Sequence, residues 1–128
     1  MQARARQQYI RSSPRKMRIV ADTVRGKNVQ EALAKLHFMP QKAARPIERT
    51  IQSAVANLLD QRKDERIDET ALVVRQILVD EAPYFKRWRP VSRGRAHPIL
   101  KRSSHLTVVV GTPDATEGEG AEASDARA

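Results

Sequence analysis

The chain of 128 residues contains no cysteine, which excludes disulfide bonds and thiolate metal sites and suits a reducing compartment. No apolar run approaches the length of a membrane span, and the N-terminus lacks the apolar middle of a secretory signal. Acidic residues are missing from residues 1–20 and from residues 85–105. Only five aromatic residues occur, and three of them lie at 84–88.

Positive charge dominates the rest of the composition. The formal net charge is +9, so a polyanion, either nucleic acid or an anionic membrane, is the first partner to consider. Residues 113–128 hold five acids against one arginine, a net charge of −4, which leaves +13 on residues 1–112. We predict a single domain at 1–112 and a disordered acidic tail at 113–128, because that tail lacks large apolar residues. The Arg-rich start faintly resembles a transit peptide, but it runs into a capped helix, which favours a basic arm.

Three helices are predicted from capping residues and apolar spacing. The first follows a Ser13 cap and ends before Gly26, and the second follows an Asn28 cap and ends before Pro40. The third runs from about residue 41 to 60, where Pro46 would either kink it or lie at its start near residue 45. Their apolar stripes are Met17, Val20, Ala21 and Val24 in the first, Val29, Ala32, Leu33 and Leu36 in the second, and Ala44, Ile47, Ile51, Ala54, Val55 and Leu58 in the third.

Two strands are predicted at residues 71–79 and 105–110, and residues 2–10 are a further candidate for a short strand. A charged segment of mixed sign between the third helix and the first of these strands is predicted to be a turn. In the last strand, one face would hold Leu106, Val108 and Val110, and the other His105, Thr107 and Val109.

The segment between these strands, residues 82–104, is predicted to form a long hairpin with its turn near "PVSRG" at 90–94. Arms of about ten residues reach about 33 Å, so much of the hairpin must leave the body. A hairpin alone is marginal in water and needs something to lie against. Seven cations lie within it: Lys86, Arg87, Arg89, Arg93, Arg95, Lys101 and Arg102.

Aromatic residues alternate with these cations. On an extended chain one side would carry Phe85, Arg87 and Arg89, and the other Tyr84, Lys86 and Trp88. Cations neutralise phosphates and aromatic rings stack on unpaired bases, which favours RNA. A solvated loop is the simplest alternative, although such loops usually mix charge signs. Anionic lipid and a helix-turn-helix DNA reader are further alternatives, but the helices lack broad apolar faces and the charge maximum lies on the hairpin.

No catalytic, metal or cofactor site can be assembled from the sequence. The segment "GTPDATEG" lacks the Lys-Ser/Thr pair of a phosphate-binding loop. His37, His97 and His105 lack metal-ligand spacing, and the acids at 60–69 are interspersed with cations. We therefore predict no enzyme, no cofactor, no metal, no small-molecule substrate and no membrane partner.

Four segments resemble the bacterial form of the large-subunit ribosomal protein L twenty-two family: "SPRKMRIVADTVRGK" (13–27), "SAVAN" (53–57), "VDEAPYFKRWRP" (79–90) and "GRAHPILKRSSHLTVVV" (94–110). They occur in the family's order and span about residues 3–110. The resemblance implies an α+β fold, with three helices packed on a small antiparallel sheet and a long protruding β-hairpin. It also implies a cytoplasmic protein of the ribosome that binds large-subunit ribosomal RNA, touches neighbouring ribosomal proteins and assists assembly. The hairpin tip would line the peptide exit tunnel and face the nascent polypeptide.

Site residues follow from the basic pattern and the resemblance together. Relatives usually carry a basic residue where this chain has Val91. A free-standing RNA-binding or chaperone-like factor remains the alternative function. The tunnel-facing tip would be Pro90, Val91, Ser92, Arg93, Gly94 and Arg95. The residues expected to bind ribosomal RNA are Arg4, Arg6, Arg11, Arg15, Lys16, Arg18, Arg25, Lys27, Lys86, Arg87, Trp88, Arg89, Arg93, Arg95, Lys101, Arg102 and His105.

Overall fold

The structure, a computed structural model, describes residues 2–63 and 66–113. The elements are strand β1 (Gln2–Ile10), helices α1 (Pro14–Val24), α2 (Val29–Phe38) and α3 (Ala44–Gln61), a 3-10 turn (Glu69–Ala71), strand β2 (Val73–Pro90), a second 3-10 turn (Ser92–Gly94) and strand β3 (Ala96–Gly111). Three helices and an antiparallel sheet confirm the predicted α+β class. The predicted acidic tail lies, apart from Pro113, outside the described residues, as do positions 64 and 65 of the mixed-charge turn.

The sheet has the strand order β1-β3-β2, and both pairings are antiparallel. Ile77 lies opposite Val108 and Val79 opposite Leu106, and all four side chains are buried. Because side chains alternate along a strand, Leu106, Val108 and Val110 share the core face, as predicted. The helices cover this face, so the central strand β3 is buried where it crosses the body.

Helix α1 begins and ends where its sequence signals place it. The Ser13 hydroxyl accepts a hydrogen bond from the Lys16 backbone N–H at 3.4 Å, and Pro14 occupies the first helical position. Gly26 follows the helix with φ +79°, and its N–H donates to the Val74 carbonyl at 3.0 Å. Nothing lies within 4 Å of a Cβ built on Gly26, so the left-handed backbone rather than crowding favours glycine.

The other helices also match their predicted positions. The Asn28 side chain caps α2 by accepting from the Gln30 backbone N–H at 2.9 Å, and α2 ends two residues before Pro40. Helix α3 begins two residues before Pro46, where a backbone N–H has no intrahelical partner to lose, so the proline fits without breaking the helix. The predicted stripe of α3 is buried except for the half-buried Val55.

Strands β2 and β3 are longer than the predicted segments 71–79 and 105–110. Strand β2 starts at Val73 rather than 71, because the preceding 3-10 turn is capped by Asp68, which accepts from the Thr70 N–H at 3.0 Å. Hydrogen bonds donated by the Thr70 hydroxyl and by the Thr70 backbone N–H hold the pKa of Asp68 below its ordinary value. Apolar windows end near residue 79, whereas backbone pairing continues into the charged arms, which accounts for the difference.

A bulge separates the buried part of β2 from its outer part. Ala82 pairs with Ser103 and Phe85 with Lys101, so two residues, Pro83 and Tyr84, face one residue of β3. Proline has no N–H to donate to the ladder, and an irregularity of this kind accommodates it. From Pro83 to Pro90 every residue of β2 is exposed. The core therefore ends at this bulge.

Candidate nucleic-acid interface

The hairpin, residues 82–104, continues the β2–β3 ladder beyond the core. Pairing runs in register from Phe85 and Lys101 to Pro90 and Ala96. All seven hairpin cations are exposed, and none forms an ion pair within residues 2–63 and 66–113. Unpaired cations on an exposed ladder are free to bind phosphate. They are Lys86, Arg87, Arg89, Arg93, Arg95, Lys101 and Arg102.

Cations and rings contact each other on both sides of the hairpin. The Arg87 guanidinium lies 5.8 Å from the Phe85 ring centroid, and Arg11 reaches the same ring at 5.1 Å. The Lys86 ammonium lies 4.9 Å from the Trp88 centroid. The pairs Phe85–Arg87 and Lys86–Trp88 are each two residues apart, so the members of each pair lie on the same face of the strand, as predicted. Since Phe85 is 43% exposed and Trp88 60% exposed, both rings retain surface on which a base can stack.

The tip is a tight turn between the two arms. The Val91 backbone N–H donates to the Arg95 carbonyl at 2.9 Å and closes it. Inside the turn Arg93 has φ +64° and Gly94 has φ +69°, both in the left-handed region. Glycine adopts this conformation without steric cost, whereas arginine does so with strain. Both arginines of the tip, Arg93 and Arg95, are exposed on this turn.

Four predicted RNA-binding residues meet where the hairpin joins the body. Arg11, Lys16, Lys101 and Arg102 line one cavity of about 640 Å³, which we call the root pocket. Lys42, from the segment between α2 and α3, completes its charged rim. Sequence reasoning missed Lys42, because only the tertiary fold brings it beside the other four.

Two predicted RNA-binding arginines, one within α1 and one directly after it, form hydrogen bonds within the body. Arg18 donates from Nε and Nη2 to the Val79 carbonyl, at 3.3 and 2.9 Å. Arg25 donates to the Ile77 carbonyl at 2.9 Å and also pairs with Asp22. These bonds fasten α1 to β2, and their acceptors lie 61 and 52 residues away along the chain. Contact of either guanidinium with RNA stays a prediction.

His105 lies against the irregular end of β1. Its Nδ1 accepts a hydrogen bond from the Tyr9 backbone N–H at 3.1 Å, and the two rings meet edge-on with centroids 4.7 Å apart. Tyr9 has φ +56°, at a register shift between Gln7 and Ile10. The Nδ1 atom of His105 is therefore engaged within the protein, which leaves Nε2 for an external contact. No sequence signal singled out Tyr9.

The remaining predicted cations are spread over the body. Arg4 and Arg6 alternate with the buried Ala3 and Ala5, so they lie on the outer face of the sheet, apart from the root pocket. Arg15 is exposed on α1.

Lys27 lies near a second lysine, Lys35, which sequence reasoning did not select. The hydrogen bond and positive charge of Lys27 lower the pKa of Lys35, while Glu31 opposes the shift. Both lysines are exposed, so this pair adds to the positive surface of the body.

The described ranges contain no group of three or more acidic or histidine side chains able to hold a metal ion. No helix in these same ranges has the length and apolar character needed to cross a membrane.

Comparison with known sequences gives one consistent result. The family described as ribosomal protein L22p/L17e matches residues 5–111. The large ribosomal subunit protein uL22 of Salinibacter ruber is 52% identical over 121 residues, or 94% of this chain and 99% of that relative. The protein of the same name from Desulfitobacterium hafniense is 50% identical over 109 residues, covering 85% and 93%. A third, from Roseiflexus castenholzii, is 52% identical over 110 residues, covering 86% and 95%.

Proposed function

Because the chain belongs to the L22p/L17e family of ribosomal proteins, we propose that it binds large-subunit ribosomal RNA, assists subunit assembly and lines the peptide exit tunnel with its hairpin tip. Family membership makes it a structural constituent of the large ribosomal subunit and not an enzyme. It therefore works in the ribosome, in the cytoplasm. The alternative of a free-standing RNA-binding factor has no support from the family match.

The observation that carries RNA binding is the unpaired charge of the hairpin. Seven exposed cations without an ion pair in the described ranges repel one another until an anion neutralises them. Each phosphate contact releases a condensed counterion, which supplies affinity. Base identity contributes little, since folded RNA is recognised mainly by shape and by stacking on exposed rings such as Trp88. The arms thus act as a shaft embedded in RNA.

The tip has a different partner from the arms. Beyond Pro90 the ladder closes in a short turn that presents Arg93 and Arg95 to solvent. The turn is the part of the hairpin that reaches furthest from the body. It would therefore emerge from the RNA that surrounds the arms. The tunnel wall formed there would combine the small Ser92 and half-buried Val91 with two guanidinium groups. A passing nascent chain would meet this mixed surface.

Assembly follows from the separation of the basic surfaces. The root pocket and the hairpin arms share Lys101 and Arg102 and form one continuous basic surface, whereas Arg4 and Arg6 lie apart from it on the outer sheet face. A protein with two such surfaces would join RNA segments that are distant in sequence. Residues 1–112 act as one domain that includes the hairpin at 82–104, with 113–128 as an appended tail. Neighbouring ribosomal proteins would contact the surfaces that RNA leaves open.

Site-directed photocrosslinking tests the tunnel contact. A photoreactive amino acid at Ser92 in the tip should crosslink to a labelled nascent chain held on the ribosome. The same group at Phe38, which is 83% exposed at the end of α2, is the matched control and should not. Crosslinks of equal yield from both positions, or none from Ser92 while RNA crosslinks form, would reject the tunnel assignment.

A salt-wash experiment tests the RNA assignment separately. The protein should stay stoichiometric with large subunits sedimented in high salt, because a hairpin embedded in folded RNA is held sterically even where salt weakens its phosphate contacts. Release of the protein at moderate salt, with other large-subunit proteins retained, would mean that the hairpin is not embedded in RNA.

A further inference from the structure

The root pocket combines a charged rim with an apolar floor. We call its apolar lining residues the floor and its charged lining residues the rim; the floor comprises Ile19 and Val20 of α1, Ala43 before α3, and Leu100 of β3. Val20 and Ala43 are buried, whereas Ile19 is 61% exposed and Leu100 40% exposed. Two large aliphatic side chains thus face an open cavity of about 640 Å³, within the size range of ligand pockets.

The rim carries one sign of charge. Arg11, Lys16, Lys42, Lys101 and Arg102 come from three separate parts of the chain, and no carboxylate lines the cavity. None of the five forms an ion pair in the part of the chain that the structure describes. A concave site lined by one sign of charge concentrates the field and selects an anion.

The apolar floor indicates which class of anion fits the pocket. A bare phosphate would gain nothing from Ile19 and Leu100, and a stacked duplex keeps its bases away from such a surface. An unpaired nucleotide has both parts, an apolar base plane and flanking phosphates. Gln41, which also lines the pocket, supplies an amide donor and acceptor for a base edge.

We propose that the root pocket receives a single unpaired nucleotide of ribosomal RNA, its base against Ile19 and Leu100 and its phosphates among the rim cations. This rests on the proposed RNA-binding function and assigns it a specific site. The pocket lies where the core ends and the hairpin begins, so a nucleotide held there fixes the angle at which the hairpin leaves the body. Because Gln41 supplies the one side-chain amide among the described residues of the site, we expect the pocket to discriminate only weakly between the four bases.

The test uses the full chain and two single-stranded RNA tetranucleotides, one intact and one with an abasic position. Amide chemical shifts around residues 11–20, 41–43 and 100–102 should move on titration of the intact RNA. Affinity for the abasic oligomer should be about 3- to 10-fold weaker, as expected for one base contact on an aliphatic floor. Equal affinity for the two oligomers would overturn the proposal, because phosphates alone would then account for binding.

Two variants locate the base contact. Because the exposed hairpin rings can also stack on a base, the preference is read from the pocket amides at 41–43 and 100–102. There, Ile19→Ser should abolish the preference for the intact oligomer, and Phe38→Ser, which also removes an exposed apolar side chain, should keep it. Ile19 lies on the exposed side of α1, so neither change removes core packing. If Ile19→Ser keeps the preference, the base does not occupy this pocket and the proposal fails.

Two further measurements distinguish the ways in which the proposal could fail. An oligoglutamate peptide that binds as tightly as the intact RNA, and weakens with Ile19→Ser, would assign the pocket to an acidic protein segment and overturn the proposal. Binding of purified large-subunit RNA is measured in parallel. If this RNA binds but the tetranucleotides are not distinguished, only the pocket assignment fails. If it does not bind, the proposed RNA-binding function fails as well.

Discussion

Neutralising the hairpin shaft should flatten the salt dependence of RNA binding. The triple variant Lys86→Gln, Arg87→Gln, Arg89→Gln removes three exposed cations, none of which is in an ion pair in the described ranges. Each phosphate contact contributes about −0.7 to −0.9 to the slope of log affinity against log salt, so three contacts contribute about −2 to −2.7. Between about 50 and 200 mM salt, wild type should therefore lose about 20- to 40-fold more affinity than the variant.

A matched triple separates contact from net charge. Arg45→Gln, Lys63→Gln and Arg66→Gln remove the same charge from α3 and from the segment that follows it, outside the predicted interface. Arg45 already pairs with Glu48 and Lys63 with Asp60. The assay is equilibrium binding of purified large-subunit RNA across a salt series, with thermal melts to show that both variants fold. Equal flattening by the two triples would refute the reasoning, since net charge rather than hairpin contact would then set the slope.

Three further outcomes are expected. In the free protein, amides at 86–89 should exchange hydrogen faster than those at 106–110, because no core covers the outer ladder; equal protection without RNA contradicts this. Arg18→Met should lower the free energy of unfolding in urea by about 1–3 kcal/mol through its lost bonds to β2, while Arg15→Met changes it little. Gly94→Val should distort the tip at φ +69°, seen as shifted amide resonances near the turn, with the melting temperature of the body unchanged.

Helices were the part of the fold best predicted from sequence, because their signals are local. The Ser13 cap, the Gly26 end and the stripe of α3 each need only a few neighbouring residues, and all are present. Strand lengths were less predictable, because pairing depends on a partner that is distant in sequence. The hairpin at 82–104 was predicted, but as an element separate from strands at 71–79 and 105–110. Because no apolar window links the charged arms to those strands, the sequence did not show that β2 runs without a break from Val73 to Pro90.

The residues of the candidate site also differ in whether local sequence signals predict them. The hairpin cations and rings could be selected from sequence, because they form one dense segment. The root pocket could not, since its rim joins Arg11, Lys42 and Lys101 from three parts of the chain. Nor could the bonds of Arg18 be foreseen, because an arginine that fastens a helix to a distant carbonyl looks in sequence like one that binds phosphate.

The hairpin charges also oppose association of the free protein through its exposed strand edges. Two long strands beyond the core expose unpaired backbone groups along their outer edges, which is a template for pairing with other chains. Pro83 and Pro98 lack an N–H, and the bulge at 83–84 interrupts one edge. Mutual repulsion of seven cations opposes edge-to-edge association of two copies. Under the proposed RNA binding, RNA would neutralise that repulsion, so the side chains that keep the free hairpin from pairing with other chains would also hold the bound one in place.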